Sequence, residues 1–273
     1  MSARAEAARV ARGLASAGVP DPAFEAELLA RTAAGLSRAE YFSDPELDGA
    51  ALERLSGLAR RRAKREPFAY IAGHREFFGL DFIVTPDVLI PRPETEALVE
   101  VALEALHRDP TAVVLDIGTG SGAIAVSVAA NAPGVSVTGV DRSMAALRVA
   151  RENASRLASG VRFVRGNLAS CVGHADIVLA NLPYIPTRVF VTLEPEVRDW
   201  EPRLALDGGP DGLDLVRALI DDCAQRLKPS LLALELAAGQ ASVVAHYGES
   251  AGVRASVVRD LAGIERVVCF RWP

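Results

Sequence analysis

Thiol and imidazole chemistry is scarce in this chain of 273 residues. Its three cysteines, Cys171, Cys223 and Cys269, are odd in number and far apart. That excludes a disulfide framework and a paired-cysteine zinc site, and fits reduced thiols. The four histidines are scattered, without the His-Glu-x-x-His spacing of a helical metal site. No uninterrupted apolar run approaches the ~20 residues that cross a bilayer. Met1-Ser2-Ala3-Arg4-Ala5-Glu6 carries charge where a secretory signal needs an apolar core. Positive charge is not in excess: 30 Lys and Arg against 35 Asp and Glu leave −5, which argues against a wholesale polyanion binder. A local basic patch stays open. The expectation is a soluble enzyme of the cytoplasm, with no membrane and no metal.

What is present falls into two regimes. Up to about residue 65 the chain reads as helices, with apolar residues at helical spacing: Val10, Leu14 and Val19, then Phe24, Leu28 and Leu29, then Leu52, Leu55 and Leu58. Asp21-Pro22 and Ser43-Asp44-Pro45 carry the signature of helix starts, a capping side chain before a first-turn proline. The third helix ends in Arg60-Arg61-Arg62-Ala63-Lys64-Arg65. This cluster is either a solvated helix end whose cations complement the dipole or a docking patch for an acidic partner. Residues 76–84 alternate in part around Gly79 and predict a hairpin. Pro86, Pro91 and Pro93 stiffen the segment after it, and an amphipathic helix runs from Glu96 to about His107. The prolyl stretch before that helix is either a simple helix entry with a surface Arg92 or a loop that lies over a ligand.

From Thr111 strands alternate with helices, which calls for a parallel sheet covered on both faces. The expected strands are 112–116, 135–140, 161–165, 175–181, 230–236, 253–259 and 265–271. Helices are expected near 122–131, 144–157, 211–227 and 239–248. The last two strands flank a short turn at Ala262-Gly263 and should pair antiparallel. A sheet that is parallel first and ends in such a hairpin is the methyltransferase variant of the doubly wound fold.

Val113-Val114-Leu115-Asp116-Ile117-Gly118-Thr119-Gly120-Ser121-Gly122 runs from a buried strand into a helix. Glycine there lets backbone approach a ligand and adopt torsions closed to other residues. The dinucleotide fingerprint would put its third glycine at 123, which is Ala. Asp116 beside a pyrophosphate would be unwelcome, but it suits a positively charged group such as the amino end of S-adenosylmethionine. Asp141 ends the next strand about 20 residues on, where a carboxylate takes both ribose hydroxyls. Asn167 and Leu168 close the third strand, either as a plain strand-end turn or positioned for an adenine edge and face. At the end of the fourth strand, Asn181-Leu182-Pro183-Tyr184 forms a polar claw, whose side-chain and backbone oxygens can accept from one planar NH2 group.

Together with Pro67–Gly73, Glu76-Phe77-Phe78-Gly79, Leu89–Glu96 and the Glu201-Pro202-Arg203…Asp207-Gly208-Gly209 loop, these motifs resemble the protein-(glutamine-N5) methyltransferase family that modifies peptide chain release factors. The resemblance covers nearly the whole chain. It implies an α/β fold: a Rossmann-like S-adenosylmethionine-dependent methyltransferase sheet with a small N-terminal helical domain. The divisions it implies are a helical substrate-docking domain over 1–75, a hairpin linker over 76–92 and a methyltransferase domain over 93–273. It implies methyl transfer from S-adenosyl-L-methionine to the glutamine of a Gly-Gly-Gln loop. It gives Asp116, Gly118, Thr119, Gly120, Ser121, Gly122, Asp141, Asn167, Leu168 and Asn181 to the cofactor. Asn181, Leu182, Pro183 and Tyr184 go to the substrate glutamine and its catalysis, and a release factor is the implied protein partner. One departure stands out: the family usually has Pro where this chain has Leu182.

An amide nitrogen is a poor nucleophile, and no strong base is evident in the claw. Two acceptors, the Asn181 side-chain oxygen and the Leu182 carbonyl, would aim the nitrogen, and such positioning supplies roughly 7–11 kcal/mol at best. A different protein glutamine, or an adenine of RNA or DNA gripped by the same Asn-Leu-Pro-Tyr pattern, are the competing substrates. Against nucleic acid stand the acidic balance and the lack of an evident aromatic-and-basic groove.

Overall fold

The computed structural model describes residues 1–158, 160–260 and 263–272, and divides into two compact units. The first is Met1–Gly73 joined by Glu194–Trp200, and the second is His74–Leu193 with Glu201–Pro273. Residues 76–92, expected as a linker, lie within the second unit, and residues 194–200, expected in the methyltransferase domain, lie within the first.

The first unit is helical: α1 (Ala3–Ser16), α2 (Pro22–Ala34), α3 (Arg38–Phe42), α4 (Gly49–Ala63) and α5 (Phe68–Ala72). Leu14, Leu29 and Leu55 meet in its core, almost wholly buried. Phe24, expected on that face, is exposed instead. Asp21-Pro22 does begin α2, but Ser43-Asp44-Pro45 begins no helix. Asp44 is used elsewhere: it adopts a left-handed φ of 54° and its Oδ1 accepts from the Arg4 N–H at 2.8 Å, capping α1. The cap of α4 is Asp48, which accepts from the Ala51 N–H.

The cationic end of α4 is largely spent inside this unit. Arg61 pairs with Glu66, Arg62 with Glu25 at 3.0 Å and Glu196 at 2.9 Å, and Arg65 with Glu196 at 2.6 Å. Burial alone would raise the Glu196 carboxyl, but Arg65 and Arg62 hold it below the usual range. These pairs bind the 194–200 stretch to α4. Arg60, Arg61 and Lys64 are the exposed cations of the cluster, Arg61 while paired with Glu66.

In the second unit β1 (His74–Phe77) and β2 (Leu80–Ile83) form the expected hairpin. Its turn residues Phe78 and Gly79 both have positive φ, 51° and 71°, the mirror-image turn whose twist suits a two-residue hairpin. A short 3-10 turn at Pro93–Thr95 leads into α6 (Glu96–Arg108). The chain continues through β3 (Val114–Ile117), α7 (Ala123–Asn131), β4 (Val137–Asp141), α8 (Met144–Leu157), β5 (Arg162–Arg165), β6 (Ile177–Ala180), β7 (Leu231–Glu235), β8 (Arg254–Arg259) and β9 (Glu265–Arg271).

The seven-stranded sheet has the order β5-β4-β3-β6-β7-β9-β8. It is parallel from β5 to β7, and β9 runs antiparallel to both β7 and β8. This is the methyltransferase arrangement that the alternation predicts. Strands β3, β6 and β7 are buried along their whole length, as central parallel strands covered on both faces must be. The helix expected over 211–227 is α-helical over Asp214–Asp222 and widens into a π-turn at Cys223–Leu227. Ala262 of the expected final turn lies outside the described residues.

Candidate active site

Because β3, β4, β5 and β6 are parallel, the four loops singled out in the sequence leave the same edge of the sheet. Register places Ile117 between Val140 and Ala180, so the glycine loop lies between Asp141 on one side and Asn181 on the other. Gly118, Gly120 and Gly122 all have positive φ, 75°, 55° and 81°. Those torsions turn the Gly118 and Thr119 N–H groups onto the Val140 carbonyl, at 2.8 and 3.0 Å. The Gly120 N–H donates to Asp141 Oδ2 at 3.0 Å, and the Ser143 N–H to Asp141 Oδ1 at 2.8 Å. Asp141 is thus fixed by a backbone donor on each oxygen.

A cleft with about 820 Å³ of empty space, its open mouth included, lies over this edge. Gly118, Gly120 and Asp141 line it from the first two loops, Asn167 and Leu168 from the third, and Asn181, Leu182 and Pro183 from the fourth. Leu168 turns into the cleft through a left-handed φ of 49°. Asp116, Thr119, Ser121 and Gly122 do not line it. Asp116 is fully buried, and its Oδ2 accepts from the Thr119 hydroxyl at 2.6 Å and the Ala125 N–H at 3.2 Å. It braces the glycine loop from beneath through this oxygen, and its Oδ1 has no hydrogen-bond partner among the described residues. Burial pushes its carboxyl up to about 7, against the pull of those two donors. Gly122 is close-packed instead: a Cβ there would sit 3.2 Å from Ala150.

The claw is built by contacts from four directions. Asn181 Nδ2 donates to the Thr95 hydroxyl at 3.0 Å, so its side-chain oxygen is left for the cleft. Tyr184 does not line the cleft. Its hydroxyl points to Glu235 at 3.4 Å, long for a hydroxyl donor. Its carbonyl accepts from Gln240 Nε2 at 3.0 Å. The Asp207-Gly208-Gly209 loop lies directly on the claw's backbone: a Cβ on Gly208 would be 2.6 Å from the Pro183 carbonyl, and one on Gly212 would be 2.3 Å from the Tyr184 carbonyl. Those two contacts are the physical reason for glycine at both positions. Leu182 is buried, its Cδ2 only 3.3 Å from where a Gly118 Cβ would stand. Its side chain packs into the core under the claw, and its backbone remains at the cleft.

The two other family-specific motifs also meet. Glu201, almost wholly buried, accepts from the Ile90 N–H at 3.1 Å and pairs with Arg92. Burial raises its carboxyl, and Arg92 opposes that rise. The pair pins the prolyl stretch so that Asp87, Val88 and Leu89 wall the cleft opposite Pro202 and Leu204. Asn153 on α8 does a similar job for the hairpin. It accepts from the Ile83 N–H at 2.8 Å and donates to the carbonyls of Ile83 and Ser121, at 3.0 and 2.9 Å.

Thr95, Glu235 and Gln240 are site residues that the sequence reading misses. Thr95 passes as an ordinary helix-start residue. Glu235 had a signal: it is a lone acid ending the apolar run Leu231-Leu232-Ala233-Leu234, on the neighbouring strand to the claw. Burial pushes its carboxyl up to about 7, although hydrogen bonding to Thr95 and Tyr184 pulls the other way.

Known proteins share both parts of this architecture. Residues 7–73 match the family described as "PrmC N-terminal domain", and residues 95–192 match the "Methyltransferase small domain". A release factor glutamine methyltransferase of Geobacter sulfurreducens is 44% identical over 93% of this chain and 91% of its own length. One from Moorella thermoacetica is 44% identical over 99% of this chain and 98% of its own. Among solved structures, a methyltransferase from Pyrococcus furiosus superposes with a TM-score of 0.55 at 21% identity, over 78% of this chain and 98% of that one, which speaks to the fold alone. With near-complete coverage on both sides and the glycine loop, claw and Glu201 loop in their places, the chain belongs to the release factor glutamine methyltransferase family.

Proposed function

We propose that this chain transfers a methyl group from S-adenosyl-L-methionine to the side-chain amide nitrogen of the glutamine in the Gly-Gly-Gln motif of a peptide chain release factor, in the cytoplasm. The observation that carries the reading is the claw's polarity. Asn181 spends its NH2 group on Thr95 and keeps an acceptor at the cleft, beside the Leu182 carbonyl. Two acceptors side by side suit a guest that brings two N–H bonds, which a primary amide does.

The cleft fits the cofactor. Glycine at 118 leaves the gap between loop and claw that a side chain would close on Leu182. Gly118 and Gly120 would give it close backbone contact, Asp141 would take the ribose hydroxyls, and Asn167 with Leu168 would meet the adenine. When bound, the cofactor supplies a methyl group on a positively charged sulfur. The claw then holds the amide nitrogen in line, and its two oxygens favour the positive charge that grows on that nitrogen. The proton released as the N-methyl amide forms passes to solvent, since no base lines the claw among the described residues. Pro183 stiffens the chain between the acceptor carbonyl and Tyr184. The first unit, over 1–73 with 194–200, is proposed to dock the protein substrate.

Incubation with methyl-labelled cofactor and either an unmethylated release factor or ribosomal RNA tests this. Label on the Gly-Gly-Gln glutamine, located by mass spectrometry, is the expected result. Label on RNA adenine, or on neither substrate, overturns it.

A further inference from the structure

The acidic balance of the chain has a local exception. From Arg142 to Arg165 the sequence holds six arginines, at 142, 148, 151, 156, 162 and 165, against one acid, Glu152. All six are exposed. Arginines outside this stretch commonly hold a carboxylate, as Arg9 holds Glu6, Arg108 holds Glu104 and Arg226 holds Asp222. None of the six forms an ion pair among the described residues.

The fold gathers them on one margin of the second unit. Strand β5 is an edge strand of the seven-stranded sheet, and α8 packs beside it. Arg151 reaches across from α8 to donate to the Phe163 carbonyl of β5 at 3.2 Å. Arg165 Nε donates to the Arg142 carbonyl at 3.2 Å, and Arg162 donates to the Ser136 hydroxyl oxygen at 3.0 Å. Each of these bonds uses one donor of a guanidinium that has five, so the group is steadied at the edge with donors to spare. Opposing acids are few. Asp141 spends both oxygens on backbone N–H groups, Asp87 shares the cleft wall with Arg142, and Glu152 stands alone on α8.

Cations on an edge strand also keep a second chain from pairing there, and Arg156 in the last turn of α8 complements the helix dipole. Those roles leave Arg142 and Arg148 unexplained. A protein partner needs an apolar centre to its interface, and the large exposed apolar residues described here are only Met144 and Val164. Nucleic-acid interfaces are by contrast strongly positive. No exposed aromatic side chain is described on this margin to stack on a base, so it would hold phosphates and read no sequence. The 14 residues of α8 run about 21 Å, the length of about six base pairs. We propose that the margin of α8 and β5 docks the phosphate backbone of duplex RNA. The choice of RNA rests on the function proposed above, since a release factor works in translation, where RNA is the abundant polyanion.

Fluorescence anisotropy of the full chain with a labelled RNA duplex, followed as salt rises from about 50 to about 200 mM, tests this. Contacts to four to six phosphates predict that log K falls against log salt with a slope of about −4 to −5. Two duplexes of unrelated sequence should bind alike. Arg148→Gln combined with Arg151→Gln should make the slope shallower by about 2 and weaken binding on the order of 100-fold at about 50 mM salt. The same variant should methylate a release factor with unchanged kcat and KM, which shows that it is folded. Arg60→Gln combined with Lys64→Gln, in the first unit, should leave RNA affinity as it was. Several results overturn the proposal: no duplex bound by the wild type at about 50 mM salt, a DNA duplex of the same sequence bound more tightly, or equal losses in both variants. So does a raised KM for the release factor in the Arg148 and Arg151 variant with RNA affinity intact, which is the behaviour of an acidic protein partner. Duplex binding that depends on Arg148 and Arg151, in a wild type that methylates no release factor, supports the docking face and overturns the assigned reaction instead.

Discussion

Replacing Asp141 by Asn changes one atom and, by the geometry of the site, damages two things. Both carboxylate oxygens accept a backbone N–H, from Gly120 at 3.0 Å and from Ser143 at 2.8 Å. An asparagine must present its NH2 group to one of these donors, so one loop contact is lost whichever way it turns. It also offers a ribose one neutral acceptor where the wild type offers two charged ones. A hydrogen bond to a charged group contributes about 1.5–3 kcal/mol, which corresponds to about a 10- to 150-fold loss of affinity. Isothermal titration of S-adenosylmethionine or S-adenosylhomocysteine into Asp141→Asn measures it directly. A thermal melt of the ligand-free variant reports the separate loss of the loop contact. Affinity within threefold of wild type would refute the assignment of Asp141 to the ribose. A large loss of affinity with an unchanged melt would instead refute the claim that both backbone donors matter.

Three further outcomes are expected. Asn181→Ala should lower methylation on the order of 100- to 1,000-fold while binding cofactor nearly as well, and full turnover would remove the claw from the mechanism. Asn153→Ala strips three hydrogen bonds from a buried site and should cost about 2–6 kcal/mol, from about 1–3 for the buried Ser121 carbonyl and about 0.5–1.5 for each bond to Ile83. Urea titration checks it, and a change under 1 kcal/mol contradicts it. Glu235 also ties stability to pH. Its folded pKa of about 7 stands above the ordinary 4.5, so the folded state holds a proton that the unfolded chain has released. The favourable contribution is full below 4.5 and is lost as pH rises through 7, about 3 kcal/mol in all. Glu94 nearby strengthens the effect and Arg266 opposes it. Denaturation of wild type and Glu235→Gln at pH 5 and pH 8 should show a shallower fall in the variant.

The legible part of this protein is local. The glycine loop, Asp141, Asn167 and the claw each sit within a few residues of a strand end. A parallel sheet gathers such ends on one edge whatever lies between them. What escaped reading depends on partners far along the chain. Thr95 meets Asn181 across 86 residues, and Arg62 meets Glu196 across 134. No periodicity announces such pairs. The arginine cluster shows this most sharply: as sequence it is a solvated helix end or a docking patch, and only Glu25, Glu66 and Glu196 make it an internal brace. Ser43-Asp44-Pro45 misleads for a related reason, since a capping side chain can serve a helix other than the next one. Asp116 is the opposite case, a residue whose place in the motif was legible but whose burial was not.

The brace at Glu196 bears on how this chain can be recombined. Residues 194–200 belong to the first unit but are flanked on both sides by residues of the second. A single crossover at residue 73 between two family members would therefore inherit Arg62 and Arg65 from one parent and Glu196 from the other. Arg62 is almost wholly buried and would keep Glu25 from its own parent, so what such a crossover puts at stake is the pairing of Arg62 and Arg65 with Glu196. Chimeras of this chain have to carry both stretches from the same parent, so in inheritance the unit behaves as one piece although the polypeptide visits it twice.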